Sequence, residues 1–411
     1  MPTVVLAGTL DTKGPEYEFV RTRLREAGVD VVLVDTGVLG SPSIEPDIPR
    51  DRVAAAAQED LEALTERHDR GAAISVMSRG LTAVVAGLRR EGRCDGALAL
   101  GGTGGTSLAS AAFRQLPLGV PKIIVSTAAS GNTSAYVGET DLVLMPSVVD
   151  IAGVNRISAP ILANAAAALT GMVLAAPPHL EDARPLVAAS MFGVTTPCIT
   201  TARDELERRG YEVIVFHMTG TGGRALESLV SHGVFAGVLD VTTTELADEL
   251  VGGVFDAGPE RGTAAGRLGV PQVVSVGALD MVNFGPKGTV PEKFRERNLY
   301  VHNPTTTLMR TTPEECAELG RRLASRVASA KGPTAVYLPL RGVSAIDVEG
   351  EPFFDADADA RLFDAVRAGL RGSGVELVEL DTDVNDPEFA HALVERLCDE
   401  MAAVGAEEYA K

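Results

Sequence analysis

Apolar positions along the chain alternate between two patterns. Thr3–Gly8 (TVVLAG) is a short, unbroken apolar run, the signature of a parallel strand covered on both faces. Residues 15–27 then set Phe19, Val20, Leu24 and Ala27 on one helical face, and Gly28 ends the helix. A second buried strand over 29–34 follows, closing on Asp35. The same reading predicts helices over 51–67, 71–90, 104–115 and 160–174, with strands over 96–100, 122–126 and 140–145. The segment AAPPHLEDARP (175–185) breaks the pattern with proline and charge and reads as a linker. A second series then begins. Its strands fall at 186–192, 212–217, 237–241, 272–277, 335–339 and 376–380, and its helices at 199–209, 222–231, 357–371 and 388–401.

Such regular alternation predicts an α/β protein of two Rossmann-like domains, each a doubly wound parallel sheet, with an interdomain cleft. The expected boundaries are 1–176, a linker at 177–185, and 186–411. The halves can be laid on one another without a gap: Leu24 falls on Leu206, Gly28 on Gly210, and Val31–Val34 on Val213–Phe216. Duplication explains this, and so does shared βαβ geometry.

Charge narrows the partners. Lys and Arg number 37 against 56 Asp and Glu, a net charge of −19, which argues against nucleic acid and anionic membranes. Aromatic residues are 4% and Trp is absent, so stacking platforms for single strands are not expected. Cys94, Cys198, Cys316 and Cys398 form no CxxC pair, which disfavours structural zinc and a disulfide framework. No apolar run reaches membrane-spanning length, and the opening residues read as a strand, not a signal peptide. A cytoplasmic location is the expectation.

The chemistry gathers where strands end. The strand GALAL runs into GGTGGTS, Gly101–Ser107, and then a helix. Glycines at Gly101, Gly102, Gly104 and Gly105 allow close backbone approach, the helix start offers free N–H groups, and Thr103, Thr106 and Ser107 add hydroxyls. This suits a phosphate or carboxylate, although neither the Walker A nor the G-x-G-x-x-G spacing is present. The loop after the first strand, GTLDTKG, offers Thr9, Thr12 and Lys13 to an anion. Asp11 would either ligate magnesium or cap the helix. Asp35 is placed to take ribose hydroxyls, and Ser130, Gly131 and Asn132 follow the fourth strand. In the second half, FHMTGTGG repeats the strand–Gly/Thr–helix design. It suggests a second anion site from Gly220, Gly222, Gly223, Arg224 and Arg341, with His217 as acid/base. Lys13 and Arg224 complete the catalytic candidates. Cys198 follows Pro197 near a helix start, where a thiolate would be favoured, although burial is the commoner fate.

In order, GTLDTKGPE, GGTGGTSLA, STAASGNTSAYVGETD, SVVDIAGVNRIS, FHMTGTGGRALE, VGALDMVNFGP and PLRGVSAIDVEGEPFF match a known pattern. Over nearly its whole length the chain resembles the family of the tomato mosaic virus resistance protein, in that protein's ATP-binding N-terminal region. The resemblance implies two Rossmann-like domains, ATP bound with Mg2+, and a homodimer. It places the nucleotide on the GTLDTK and GGTGGTS loops with Ser126–Thr133 nearby. Asn132 stands where the resemblance leads one to expect Asp. The resemblance leaves the reaction open; the two Gly-rich loops, one per domain, suggest an ATP-dependent ligase or kinase acting on a small acid. The alternatives are an ATP-independent hydrolase or lyase of a phosphorylated or acidic metabolite, and a non-catalytic ATP-sensing or inhibitory module.

Overall fold

The structure, a computed structural model, describes residues 1–66, 69–176 and 184–409. The chain forms two compact units, Met1–His179 and Leu180–Lys411. Most of the expected linker, 177–183, lies outside the described residues.

The first unit contains strands β1 (Thr3–Gly8), β2 (Asp30–Asp35), β3 (Gly96–Gly101), β4 (Lys122–Ser126) and β5 (Val143–Pro146). They form one parallel sheet in the order β2-β1-β3-β4-β5. Alternate residues of the apolar runs point to opposite faces, and each face has its own cover. Val5, Ala7, Val32, Ala97 and Ala99 pack under α2 (Arg50–Ala56), α3 (Leu61–Glu66), α4 (Arg70–Arg90) and α5 (Thr103–Phe113). Val4, Leu6, Leu33, Leu98 and Ile123 pack under α1 (Leu10–Glu26) and, beyond the short α6 (Ser134–Val137), under α7 (Ser158–Leu174). Helix α4 is long and apolar enough to cross a bilayer by length and composition. Here Val76, Met77, Leu81, Val85 and Leu88 on one of its faces are core.

The second unit repeats the plan. Strands β6 (Leu186–Met191), β7 (Glu212–His217), β8 (Gly237–Thr242) and β9 (Gln272–Gly277) are joined, after an insertion, by β13 (Thr334–Pro339) and β14 (Glu376–Leu380). The parallel order is β14-β13-β9-β8-β6-β7. Helices α8 (Thr196–Arg208) and α14 (Pro387–Tyr409) cover one face. The other is covered by α9 (Thr221–Ser231), α10 (Glu245–Val251), α11 (Ala264–Leu268), α12 (Pro313–Ala328) and α13 (Ala356–Leu370). The insertion is an antiparallel sheet, β10 (Met281–Phe284), β12 (Thr306–Arg310) and β11 (Leu299–Asn303) in that order. Its strands carry polar positions that, in sequence, read only as scattered site candidates.

Each sheet starts from its first strand, adds the second on one side and the third on the other, so each has a switch point between first and third strands. Gly28 (φ +81°) and Gly210 (φ +90°), matched in sequence, both follow a helix end in the left-handed conformation. The α/β, doubly wound expectation is met in both units. The differences are local. The helix expected over 51–67 is two helices, parted where Gln58 turns to φ +61°. Helix α1 begins one turn early and kinks at Lys13, so Pro15 opens its main segment where a missing N–H costs nothing.

Candidate functional site

The switch point of the first unit is held open by one side chain. Ladder pairing of β1 with β3 runs from Val4–Gly96 to Ala7–Ala99 and stops there. Beyond it the Tyr17 hydroxyl sits between the strands. It accepts from the Leu100 N–H at 2.8 Å and has the Ala7 and Leu100 carbonyls at 2.8 and 2.9 Å for its single proton. Burial pushes the phenol far above its ordinary range. Gly8 is required beside it: a Cβ there would lie 1.7 Å from the Tyr17 oxygen. Tyr17 was not among the residues predicted from sequence, because a Tyr at a core-facing helix position reads as ordinary packing.

Above this plug, β3 runs into α5. Gly102 is the N-cap residue in extended conformation, and no side chain caps the helix. The first bond back into the turn comes from Thr106 N to Gly102 O at 2.9 Å, so the N–H groups of Thr103, Gly104 and Gly105 lead the helix. Thr103 and Ser107 are exposed; Gly102, Gly104 and Gly105 are partly so. Thr106 differs from expectation. It is buried, and its hydroxyl is paired with Ser126 Oγ at 2.6 Å, tying the loop after β3 to the end of β4. Thr127 N donates to Gly101 O across the same gap. Ser130, Gly131 and Asn132 follow on the exposed loop, where the Asn132 side chain accepts from Ser134 N and Oγ and shapes the turn into α6.

Beside the start of α5 stands a cation that sequence reading missed. A Cβ placed on Gly104 would lie 3.6 Å from a guanidinium nitrogen of Arg70. Arg70 is exposed and has no hydrogen-bond or ion-pair partner among the described residues. It also occupies the first turn of α4, where a positive charge opposes the helix dipole. Its place in the fold, thirty residues from the glycines, carries no sequence signal.

The GTLDTKG loop does less than expected. Lys13 Nζ donates to Ile151 O at 2.7 Å, and the buried Glu16, less than one turn on, accepts from Gly153 N, so both fasten the loop before α7. Asp11 accepts from Leu39 N and Gly40 N, and its other oxygen is shut away from solvent. That arrangement organises the loop after β2 and corrects the reading of Asp11 as a magnesium ligand. Asp35 is fully buried. It accepts from Leu10 N and Gly37 N, and burial raises its pKa above the usual carboxylate range. It is a loop anchor with no face open to a ribose. Thr9 and Thr12 pair with each other at 3.0 Å at the exposed end of the loop.

In the second unit the predicted anion site is already filled from within. The N–H groups of Gly220 and Gly223 donate to the Glu245 carboxylate at 2.6 and 3.1 Å. Arg261, fully buried, adds its Nε at 2.7 Å and also pairs with Asp240 and Glu227. Gly222 packs on the His217 carbonyl. Arg224 is exposed and donates to Asp256 O, and Arg341 forms an exposed bidentate pair with Asp381. The reading of these residues as a second anion site is therefore corrected: the protein supplies the anion itself. Cys198 is also resolved. It is buried, its thiol pushed up to about 12 by desolvation, so no reactive thiolate stands there.

Two further polar arrangements surround the strand ends. His217 ends β7 and stacks on Phe192 with ring centres 5.4 Å apart. The two rings line a cleft of about 200 Å³ with Phe255, His302 and Asn303. Deeper, Arg310 is bonded to Asp347 and Asp359 at 3.0 and 2.7 Å, with Asp280 nearby and held by Ser344. Burial lifts Asp280 to about 6 and Asp347 to about 9. Among the described residues no group of three or more His, Cys, Asp or Glu side chains is placed to hold a metal.

The chain belongs to the Uncharacterised protein family (UPF0261). The model of that family's N-terminal domain matches residues 2–178, and that of its C-terminal domain matches 184–401. The chain is 49% identical over 398 residues to a UPF0261 protein of Clostridium tetani, covering 97% of this chain and 98% of the relative. A UPF0261 protein of Rhizobium meliloti is 45% identical over 395 residues, covering 96% and 98%. The ToMV resistance protein Tm-1(GCR237) of Solanum lycopersicum is 41% identical over 418 residues, covering 96% of this chain and 55% of that protein. Among solved structures, the Streptomyces glycosyltransferase SsfS6 complexed with thymidine diphosphate aligns over 98% of this chain and 96% of its own at 15% identity. Its TM-score of 0.21 carries no argument.

Proposed function

We propose that the N-terminal domain binds ATP with Mg2+ at the carboxyl edge of its sheet. The observation that supports this is the uncapped start of α5 with the Arg70 guanidinium, unpartnered among the described residues, beside it. Three leading N–H groups, a helix dipole and a cation form a cradle for a phosphate chain. Thr103 and Ser107 add exposed hydroxyls, and Thr127 with Ser130–Asn132 forms the neighbouring wall. In this reading Tyr17 and Gly8 keep β1 and β3 apart beneath the ligand. The residues suit phosphate better than a bare metal ion. Magnesium would arrive on the triphosphate, keeping water and phosphate oxygens as ligands. Because Glu245 closes the second glycine loop, the support stops at nucleotide binding and gives a small-acid ligase or kinase no anion site there.

The test is calorimetric titration of Mg-ATP into the intact chain and into Gly102→Asp. A Cβ at Gly102 meets nothing closer than Thr127 Oγ1 at 3.7 Å, so the new side chain fits. As an N-cap, Asp matches or exceeds Gly, so the melting temperature should hold or rise slightly. Its carboxylate takes the N–H groups and repels phosphate, so affinity should fall by about 100-fold or more. Equal affinity in the two proteins, or no binding to the parent chain, refutes the reading. Dimerisation belongs to the same reading, and a monomer by light scattering at about 10 μM would remove it.

A further inference from the structure

We propose that the C-terminal domain carries a separate site for a small, uncharged, single-ring molecule with a polar edge, seated between Phe192, Phe255 and the His217–His302 pair. The position is the carboxyl edge of a doubly wound sheet, where Phe192 directly follows β6 and His217 ends β7. In the first unit the residue matched to His217 is Asp35, and the loop after β2 packs onto it through Gly37. In the second, the chain after β7 turns away at Gly220 (φ +81°) and leaves the cleft.

The lining decides the ligand class. Phe192 meets His217 face to face and Phe255 edge to face, with ring centres 6.1 Å apart in the second pair, and Leu308 adds a further apolar lining side chain. None of the lining residues is Asp, Glu, Lys or Arg. An anionic or cationic ligand would thus enter a largely apolar space with no countercharge, which is costly. The polar capacity is nevertheless unspent. Neither ring nitrogen of His217 or His302 has a hydrogen-bond partner among the described residues. Partial desolvation in the cleft lowers the His217 pKa, which favours the neutral imidazole with one donor and one acceptor. Asn303 uses its side-chain oxygen on Thr305, leaving its amide N–H2 for a ligand. A cavity of about 150 Å³ admits benzene, so the cleft of about 200 Å³ admits one ring with a short substituent.

Benzamide and benzoate share shape and differ in charge, which makes them the probes. Saturation-transfer and imidazole proton NMR would follow each against the full-length chain, with His217→Ala and His302→Ala as variants. His302 lies on the exposed hairpin, so its loss spares the fold. Benzamide should perturb the His217 ring protons, bind at least about tenfold more tightly than benzoate, and lose about tenfold or more in both variants. The proposal is overturned if benzoate binds as well as benzamide, if binding survives both substitutions, or if nothing perturbs His217 up to about 10 mM probe. The site is independent of the nucleotide reading, and Gly102→Asp should leave it unchanged.

Discussion

If Glu245 is the anion of the second glycine loop, removing it should create a site that a free carboxylate can refill. In Glu245→Ala the N–H groups of Gly220 and Gly223 and the Nε of Arg261 lose their acceptor together. All three are buried, and Arg261 keeps Asp240 and Glu227. Deleting one partner of such a buried charge pair costs about 3–5 kcal/mol. The deleted atoms leave a pocket the size of a small acid, already lined by donors. Acetate that binds there with a Kd of about 10 mM should return about 1.4 kcal/mol at about 100 mM. For a domain of this size that is a rise of roughly 3–6 °C in melting temperature. The assay is thermal unfolding of parent and variant in acetate, with chloride at matched ionic strength. An acetate-specific rise in the variant alone supports the arrangement. Equal responses in both proteins, or a variant as stable as the parent, would show that Glu245 does not hold the loop.

The remaining predictions concern other parts of the same frame. Arg70→Gln should weaken Mg-ATP binding about tenfold by calorimetry, while Lys13→Gln should act mainly on stability, because Lys13 holds Ile151 O. Tyr17→Phe should cost about 1–3 kcal/mol in urea unfolding, since the buried Leu100 N–H loses the Tyr17 hydroxyl as its acceptor. Asp280 and Asp347 have folded pKa values above those of the unfolded chain, so the native state holds extra protons. Their contribution is present below about pH 4 and is lost as pH rises through about 6 and then about 9. The urea midpoint of Asp347→Asn should therefore fall less between pH 6 and about 9 than that of the parent. Cys94, Cys198 and Cys316 are buried, with thiols pushed up to about 11, 12 and 12, so a disulfide reagent should modify only the half-buried Cys398 in the native protein.

What the sequence disclosed and what it hid divide along a physical line. Strands such as β1, β4 and β9 were legible to the residue because a strand buried on both faces is mostly apolar and ends at polar or Gly-rich punctuation. The two Gly–Thr–Gly–Gly loops were equally legible, and their likeness misled. GGTGGTS follows the third strand of its sheet, at the switch point, whereas TGTGG follows the second. The element that corresponds to α5 is α10, after β8, and its first residue is Glu245. In the first unit the switch-point helix opens with Thr103 and leaves its N–H groups uncapped. In the second the corresponding helix opens with a carboxylate, which reaches across to the loop after β7 and fills it. Whether a glycine loop is a ligand site or a sealed joint thus turns on one side chain about twenty-five residues away, brought near only by strand order. The same reasoning explains Arg70 and Tyr17. Each acts at the site through a packing neighbour remote in sequence, so a local pattern could mark the glycines and could not mark what stands beside them.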